Sequence, residues 1–365
     1  MNESLIRWRE GVVVGFAKRW RGATELQVEI TGRADEPASI PAQAIAYPAL
    51  VGDPEIGDRL LLNTTALAMG LGTGGYAVVI ANTSRLPPDR VGPGHLIKGR
   101  YLPSQATVLG VDEQDSPHHE LIAQCTGLAG LPVVVADLHS ALPAILCGIH
   151  ADMPHAKVAY LWTDGGALPS WFSRTVADLG DRLAATITVG QAMGGDFEAV
   201  SIHSALIAAR VVVGADIAIV AQGPGNLGTG TPWGFSGVAA GEAVNAVAAL
   251  DGRAIGALRI SNADPRDRHI GVSHHSTTAF FKVALSAIDI PVPDLLDAQL
   301  AAAVDRDLAN LPNRARRIRV PIEGLDAALR SCPARLSTMG RGLDQDHGYF
   351  LTNAAAGRYA AGMLR

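Results

Sequence analysis

Over the first hundred positions, apolar residues come in short bursts separated by glycine, proline and polar turns. Segments 11–17 (GVVVGFA), 24–30 (TELQVEI) and 40–47 carry the Val, Ile and Phe enrichment of strands. GDRLLLNTTAL, from Gly57 to Leu67, sets a strand behind a turn pair, and GGYAVVIANTS, from Gly74, repeats the plan. No helix-period stripe of useful length interrupts them. The pattern predicts a small, curled antiparallel sheet or barrel over residues 1–105, closed so that strand edges are removed.

Beyond Tyr101-Leu102-Pro103 the pattern changes. Continuous apolar runs at 106–113, 132–136, 157–162, 183–189, 215–221 and 254–260 alternate with helix-like stretches near 140–150, 169–180, 198–213, 235–249 and 276–288. Runs without polar alternation are what strands buried on both faces require. Right-handed crossovers then give an α/β fold over residues 106–310: a mostly parallel open sheet with helices on both faces, preceded by the barrel-like domain. The Gly- and Ala-rich stretch 235–249 loses helix propensity at each glycine but permits close packing, against the sheet or a subunit contact. Residues 311–365 offer one strand (RIRVPI), a helix from Leu325 and an Ala-rich final helix. That is too little for an independent core, so the segment is expected to pack onto the preceding domains.

Composition narrows the class. The chain has 365 residues, 48% of them hydrophobic and 18% charged, so it can bury a substantial core. Cys125, Cys147 and Cys332 form neither a disulfide framework nor a metal knuckle. With no signal-peptide pattern and no long apolar run, a cytoplasmic location without membrane association is expected. The net charge of -5 is uneven: +1 over 1–105, -11 over 106–310 and +5 over 311–365. The acidic middle argues against a nucleic-acid surface, and the basic run Arg314, Arg316, Arg317, Arg319 is expected to pack on the acidic body or a neighbouring subunit.

Candidate chemistry follows from topology, because ligands of open α/β sheets bind outside the carboxyl ends of strands. Two sets of residues fall there. In QGPGNLGTGTPWG, the residues Gly223, Gly225, Gly228, Thr229, Gly230 and Thr231 could turn backbone N–H groups and hydroxyls onto an anion. The loop satisfies GxGxxG, yet Pro224 interrupts the usual turn and no GKS or GKT ending follows. A turn needing unusual backbone angles explains the same glycines. The second set is Asp137 and His139 after the VVV strand, Asp164 after the next, and His274-His275 at a third strand end. These could ligate a metal that activates water, do metal-free acid–base work, or be structural. His275 could instead cap the helix that follows it. Ser201 reads as an N-cap, and Asp264, Arg266, Asp267 and Arg268 as a solvated loop whose arginines could meet an anion.

The phrases GDRLLLNTTALAMGLGTGGYAVVIAN, GHLIKGRYLPSQ, VVADLHSALPAI, GPGNLGTGT, SHHSTTAF and STMGRG together resemble an uncharacterised protein family found in actinobacteria, over about residues 8–360. The resemblance implies a soluble actinobacterial protein and no mechanism. From the residues, the expected role is recognition or turnover of a small anionic metabolite in the α/β loops. A metal-dependent hydrolase and a noncatalytic, homo-oligomeric binding or regulatory protein are the alternatives, and metal and cofactor identity are left unassigned.

Overall fold

Alternating burial closes the first sheet into a barrel. The computed structural model describes residues 4–32, 36–71, 74–294 and 297–364. Its chain divides into two compact units, one of Met1–Pro93 with Gly99–Ala106, the other of Gly94–Lys98 with Thr107–Arg365. In the first unit, β1 (Trp8–Trp20), β2 (Ala23–Thr31), β3 (Ser39–Ala46), β4 (Arg59–Asn63) and β5 (Tyr76–Asn82) form a closed barrel in the order β1-β2-β3-β5-β4. Val13, Leu26, Val28, Ala44, Leu60, Leu62 and Val79 point inward, as period-two patterning requires. All pairings are antiparallel except β3 with β5. Closure leaves no exposed edge.

The second unit is built on an eight-stranded sheet. Its strands are β6 (Pro132–Ala136), β7 (Val158–Thr163), β8 (Ala185–Val189), β9 (Phe197–Ala199), β10 (Ile217–Gln222), β11 (Arg253–Ala257), β12 (Ile288–Pro293) and β13 (Ala315–Val320). Their spatial order is β9-β8-β7-β10-β6-β11-β12-β13, and every pairing is parallel. The sheet's two faces carry separate apolar layers. Val133 and Val135 of β6 face one, with α2 (Ile202–Val211) and α3 (Ala239–Ala249). Val134 and Ala136 face the other, with α1 (Leu142–Asp152) and α5 (His347–Gly362). Burial on both faces explains why these strands lack polar alternation. α1 and α5 meet backbone to backbone: a Cβ on Gly148 would fall 1.8 Å from the carbonyl oxygen of Ala354. The Gly- and Ala-rich α3 packs on the sheet through Ala243, Val244 and Val247, and its own close backbone approach, at Gly241, is to the carbonyl of Ala279.

Three details differ from the sequence expectation or extend it. The stretch 276–288 is not one helix. A short helix, α4 (His274–Thr278), passes into a π turn at Ala279–Val283, and Ile288 already belongs to β12. Ser201 caps α2, reciprocated by Ser204, as its position suggested. The basic run lies along β13, where Arg316 pairs with Asp289 at 2.8 Å, Arg317 with Asp305 at 2.6 Å, and Arg319 with Asp294. Arg314 donates instead to the carbonyls of Phe281 and Ala284. Among the described residues, no helix is long and apolar enough to cross a membrane.

Candidate metal centre

The segments that leave the carboxyl ends of the adjacent strands β6 and β11 bring together one carboxylate and three imidazoles. Asp137 follows β6 directly and keeps the facing of Val133 and Val135. Beyond β11 the chain forms a small hairpin, Ile260–Ser261 with Gly271–Val272, whose connecting 3-10 turn, Asp267–His269, ends on His269. Ser273 then caps α4, accepting the backbone N–H of His275, so His274 and His275 occupy its first turn.

The ligand atoms of His269, His274 and His275 all lie within 4.8 Å of one another. A tetrahedral ion with imidazole bonds of about 2.0–2.1 Å holds its ligands about 3.4 Å apart, so small side-chain rotations would close this set around one ion. His275 Nδ1 is also 3.8 Å from Asp137 Oδ2. His269 Nδ1 lies 2.6 Å from Ser273 Oγ, and the tautomer that donates this proton to the hydroxyl leaves the lone pair on Nε2. Phe235 stacks on the His275 ring at 3.8 Å and 2° between planes, which fixes that ring's plane.

Four buried atoms here have no hydrogen-bond partner among the described residues: Asp137 Oδ2, His269 Nε2, His274 Nε2 and His275 Nδ1. Each such orphan costs about 1–3 kcal/mol. Against a total stability of roughly 5–15 kcal/mol, four in one place are a large deficit for a site meant to stay empty.

The electrostatics keep the imidazoles neutral. Burial, then the neighbouring arginines, holds His269 down at about 3; burial, then the His274 charge and the arginines, holds His275 at about 3; burial and the surrounding cations also lower His274. Neutral imidazole is the ligating form. Burial raises Asp137 to about 6, partly opposed by the Arg259 charge. Behind the cluster, the buried carboxylate of Asp264 accepts Arg259 at 2.7 Å, Arg266 at 2.8 Å and Arg341 at 3.2 Å. Burial alone would raise Asp264, but the Arg266 hydrogen bonds and the nearby guanidinium charges outweigh it and hold its pKa low. Arg341 also meets Asp346, so the three arginines share two buried carboxylates and leave a positive excess.

Of the residues singled out from sequence, the structure brings together Asp137, His274 and His275. His139 is separate, although it lies only two residues from Asp137. A 3-10 turn begins at His139 and carries it to the opposite face of the sheet. There Nδ1 meets Tyr160 Oη at 3.0 Å, Nε2 meets Ser173 Oγ at 2.7 Å, and burial lowers its pKa to about 4. Asp164 is also elsewhere. It accepts the N–H of Gln191 at 2.9 Å and braces the turn after β8.

The glycine-rich loop spends much of its backbone on itself. Gly228 bridges to Phe235, Thr229 N–H donates to Gly234 O at 2.8 Å, and the Thr229 and Thr231 hydroxyls lie 3.1 Å apart. Gly225 and Gly230 hold φ values of +88° and +80°, where glycine is favoured. Asn226 Oδ1 gathers Gln222, Ser236 and the Gly237 N–H, locking the loop to the start of α3. The loop's clearest link to the cluster is Phe235 on His275.

His269 was missed from sequence because it stood alone in a loop read as solvated. Asp264 in that loop is in fact buried beneath its arginines. The available signal was a histidine five residues before a His-His pair at the end of an apolar strand, a spacing that matches no helical face.

A family model described as a protein of unknown function, DUF3866, matches residues 43–357. The chain belongs to this family. No curated protein matches it at a significant level. The family's match covers the whole candidate centre, from Asp137 to His275, and begins within β3, so that β1 and β2 of the barrel lie outside it.

Proposed function

We propose that this DUF3866 protein is a metal-dependent hydrolase of a small anionic metabolite, with one divalent ion held by His269 Nε2, His274 Nε2 and His275 Nδ1. The observation that carries this reading is the group of four unpartnered buried atoms, Asp137 Oδ2 and the three imidazole nitrogens. Three neutral imidazoles with an open position suit zinc or a similar ion, which supplies Lewis acidity and lowers the pKa of a bound water. Asp137, 3.8 Å from His275 Nδ1, would be placed to accept a proton from a water held by such an ion. The excess of guanidinium charge around Asp264 favours an anionic substrate. A cytoplasmic location and a homo-oligomeric state complete the proposal as expectations carried over from the sequence.

The near-complete burial of His269 and His275 favours one second reading, a noncatalytic centre in which Asp137 closes the coordination as a fourth ligand and the ion ties the loops together. One experiment separates the two. Protein purified without chelator is assayed for metal content and for turnover over phosphate, carboxylate and amide ester panels. The hydrolase reading expects one ion per chain in the wild type, loss of the ion in H274A, and loss of turnover with the ion retained in D137N. A stoichiometric ion without turnover on any panel favours the structural centre. No ion at all sinks both.

A further inference from the structure

Trp233 gives the proposed metal site a second recognition element. α4 and the π turn place His274, Thr278 and Lys282 at successive four-residue steps. Thr278 Oγ1 donates to the carbonyl of Pro232 at 3.2 Å, which ties the loop end to this helix. Trp233, the next residue, is 57% exposed, and Lys282 Nζ sits 5.7 Å from the centre of its ring. Two residues further on, Phe235 lies flat on His275. Phe235 and Lys282 thus tie the loop end that carries the indole to the same helical run that carries His274 and His275.

The same mouth carries unopposed cations. Arg268 is exposed beside His269, and its charge and that of Lys282 both bear on His274. Among the described residues neither Arg268 nor Lys282 makes an ion pair. An exposed indole with a cation on one face is a stacking platform, and free cations beside it select an anion.

We infer that the substrate of this centre is an anion joined to a planar ring, with the ring on the indole of Trp233 and the anionic group drawn by Arg268 and Lys282 towards the histidines. This rests on the metal-dependent reading above and names its substrate class. It requires no metal ligand beyond those already assigned, and it gives the loop's exposed tryptophan a role that packing does not.

The test uses full-length, zinc-loaded protein, with zinc content measured in every sample. Calorimetry compares phenyl phosphate with inorganic phosphate, and benzoate with acetate, in the wild type, W233A and R268Q. Trp233 and Arg268 are exposed, and thermal melts confirm that the variants fold. The expected result is at least tenfold tighter binding of the ring-bearing probe in one of the two pairs, and that pair identifies the anionic group. W233A should abolish the difference while keeping the affinity for the ring-free anion. R268Q should weaken both members of the pair by several-fold. Equal affinities in the wild type, or a ring preference that survives in W233A, overturn the inference while stoichiometric zinc leaves the metal reading standing. A wild type that fails to hold zinc overturns both.

Discussion

Replacing His269 by alanine should reduce stability far more with zinc present than without it. In the metal-free protein the substitution removes one hydrogen bond to Ser273, worth about 0.5–1.5 kcal/mol, together with the packing of a buried ring. It also removes an unpartnered Nε2, whose burial costs about 1–3 kcal/mol. These terms oppose each other, so the metal-free cost should be small, about 1–2 kcal/mol. With zinc at one hundred times its dissociation constant, the wild type gains about 2.7 kcal/mol by mass action. For a unit of this size that corresponds to roughly 5–10 °C in Tm. H269A, left with two imidazoles, should gain almost none of it. Scanning calorimetry of both proteins, each chelated and then zinc-loaded, measures the double difference. An equal zinc shift in wild type and H269A, or no shift in the wild type, would refute the reasoning that His269 Nε2 is a ligand.

Asp137→Asn should stabilise the metal-free protein at pH 8 while leaving the zinc stoichiometry at one per chain. The folded pKa of about 6 lies above the unfolded 3.8, so stability associated with this group is present below 3.8 and lost as pH rises through 6. The loss is roughly 3 kcal/mol, and the variant should match the wild type near pH 3.5 and exceed it at pH 8 in chelated melts. His139 has the opposite sign: its folded pKa of about 4 lies below the unfolded 6.5, so its neutral burial favours folding above 6.5 and that contribution falls away by about 3 kcal/mol as pH drops to 4. The stability gap between wild type and H139Q should therefore narrow over that window, with no change in zinc stoichiometry. Gly237→Ala would place a methyl 3.1 Å from both the Cβ and the carbonyl oxygen of Asp137, which should cost about 1–3 kcal/mol and lower turnover by moving the carboxylate.

The parts of this molecule that were legible in its sequence are those governed by periodicity. VVV at 133–135 and IAIVA at 217–221 carry no polar alternation because helices cover both faces, and the barrel strands alternate because only one face is buried. β12 was hidden by Pro291 and Pro293, which ordinarily argue against an inner strand. It tolerates them because its pairing with β11 is confined to Ile255 and Asp289, while β13 takes up the other side. The helix expected over 276–288 stops short because the chain passes through a π turn against α3, where Gly241 brings the backbones together, and must leave again to enter β12.

The site was half legible for similar reasons. Proximity to strand ends correctly joined Asp137 to His274 and His275, since those positions are set by the sheet. It wrongly joined His139, because a one-residue change from strand to 3-10 turn reverses facing, and no periodicity announces such a turn. His269 depends on the hairpin that folds residues 260–272 back over the strand ends, a tertiary event with no local signature beyond its spacing to His274.

The central claim is that His269, His274 and His275 share one metal ion, and X-ray absorption at the zinc edge tests it most directly. Wild-type protein reconstituted with one equivalent of zinc should show nitrogen and oxygen neighbours at about 2.0–2.1 Å with the scattering signature of three imidazoles, a signature that zinc added to H269A should not reproduce. A sulfur shell at about 2.3 Å, or an imidazole count unchanged in H269A, would contradict it.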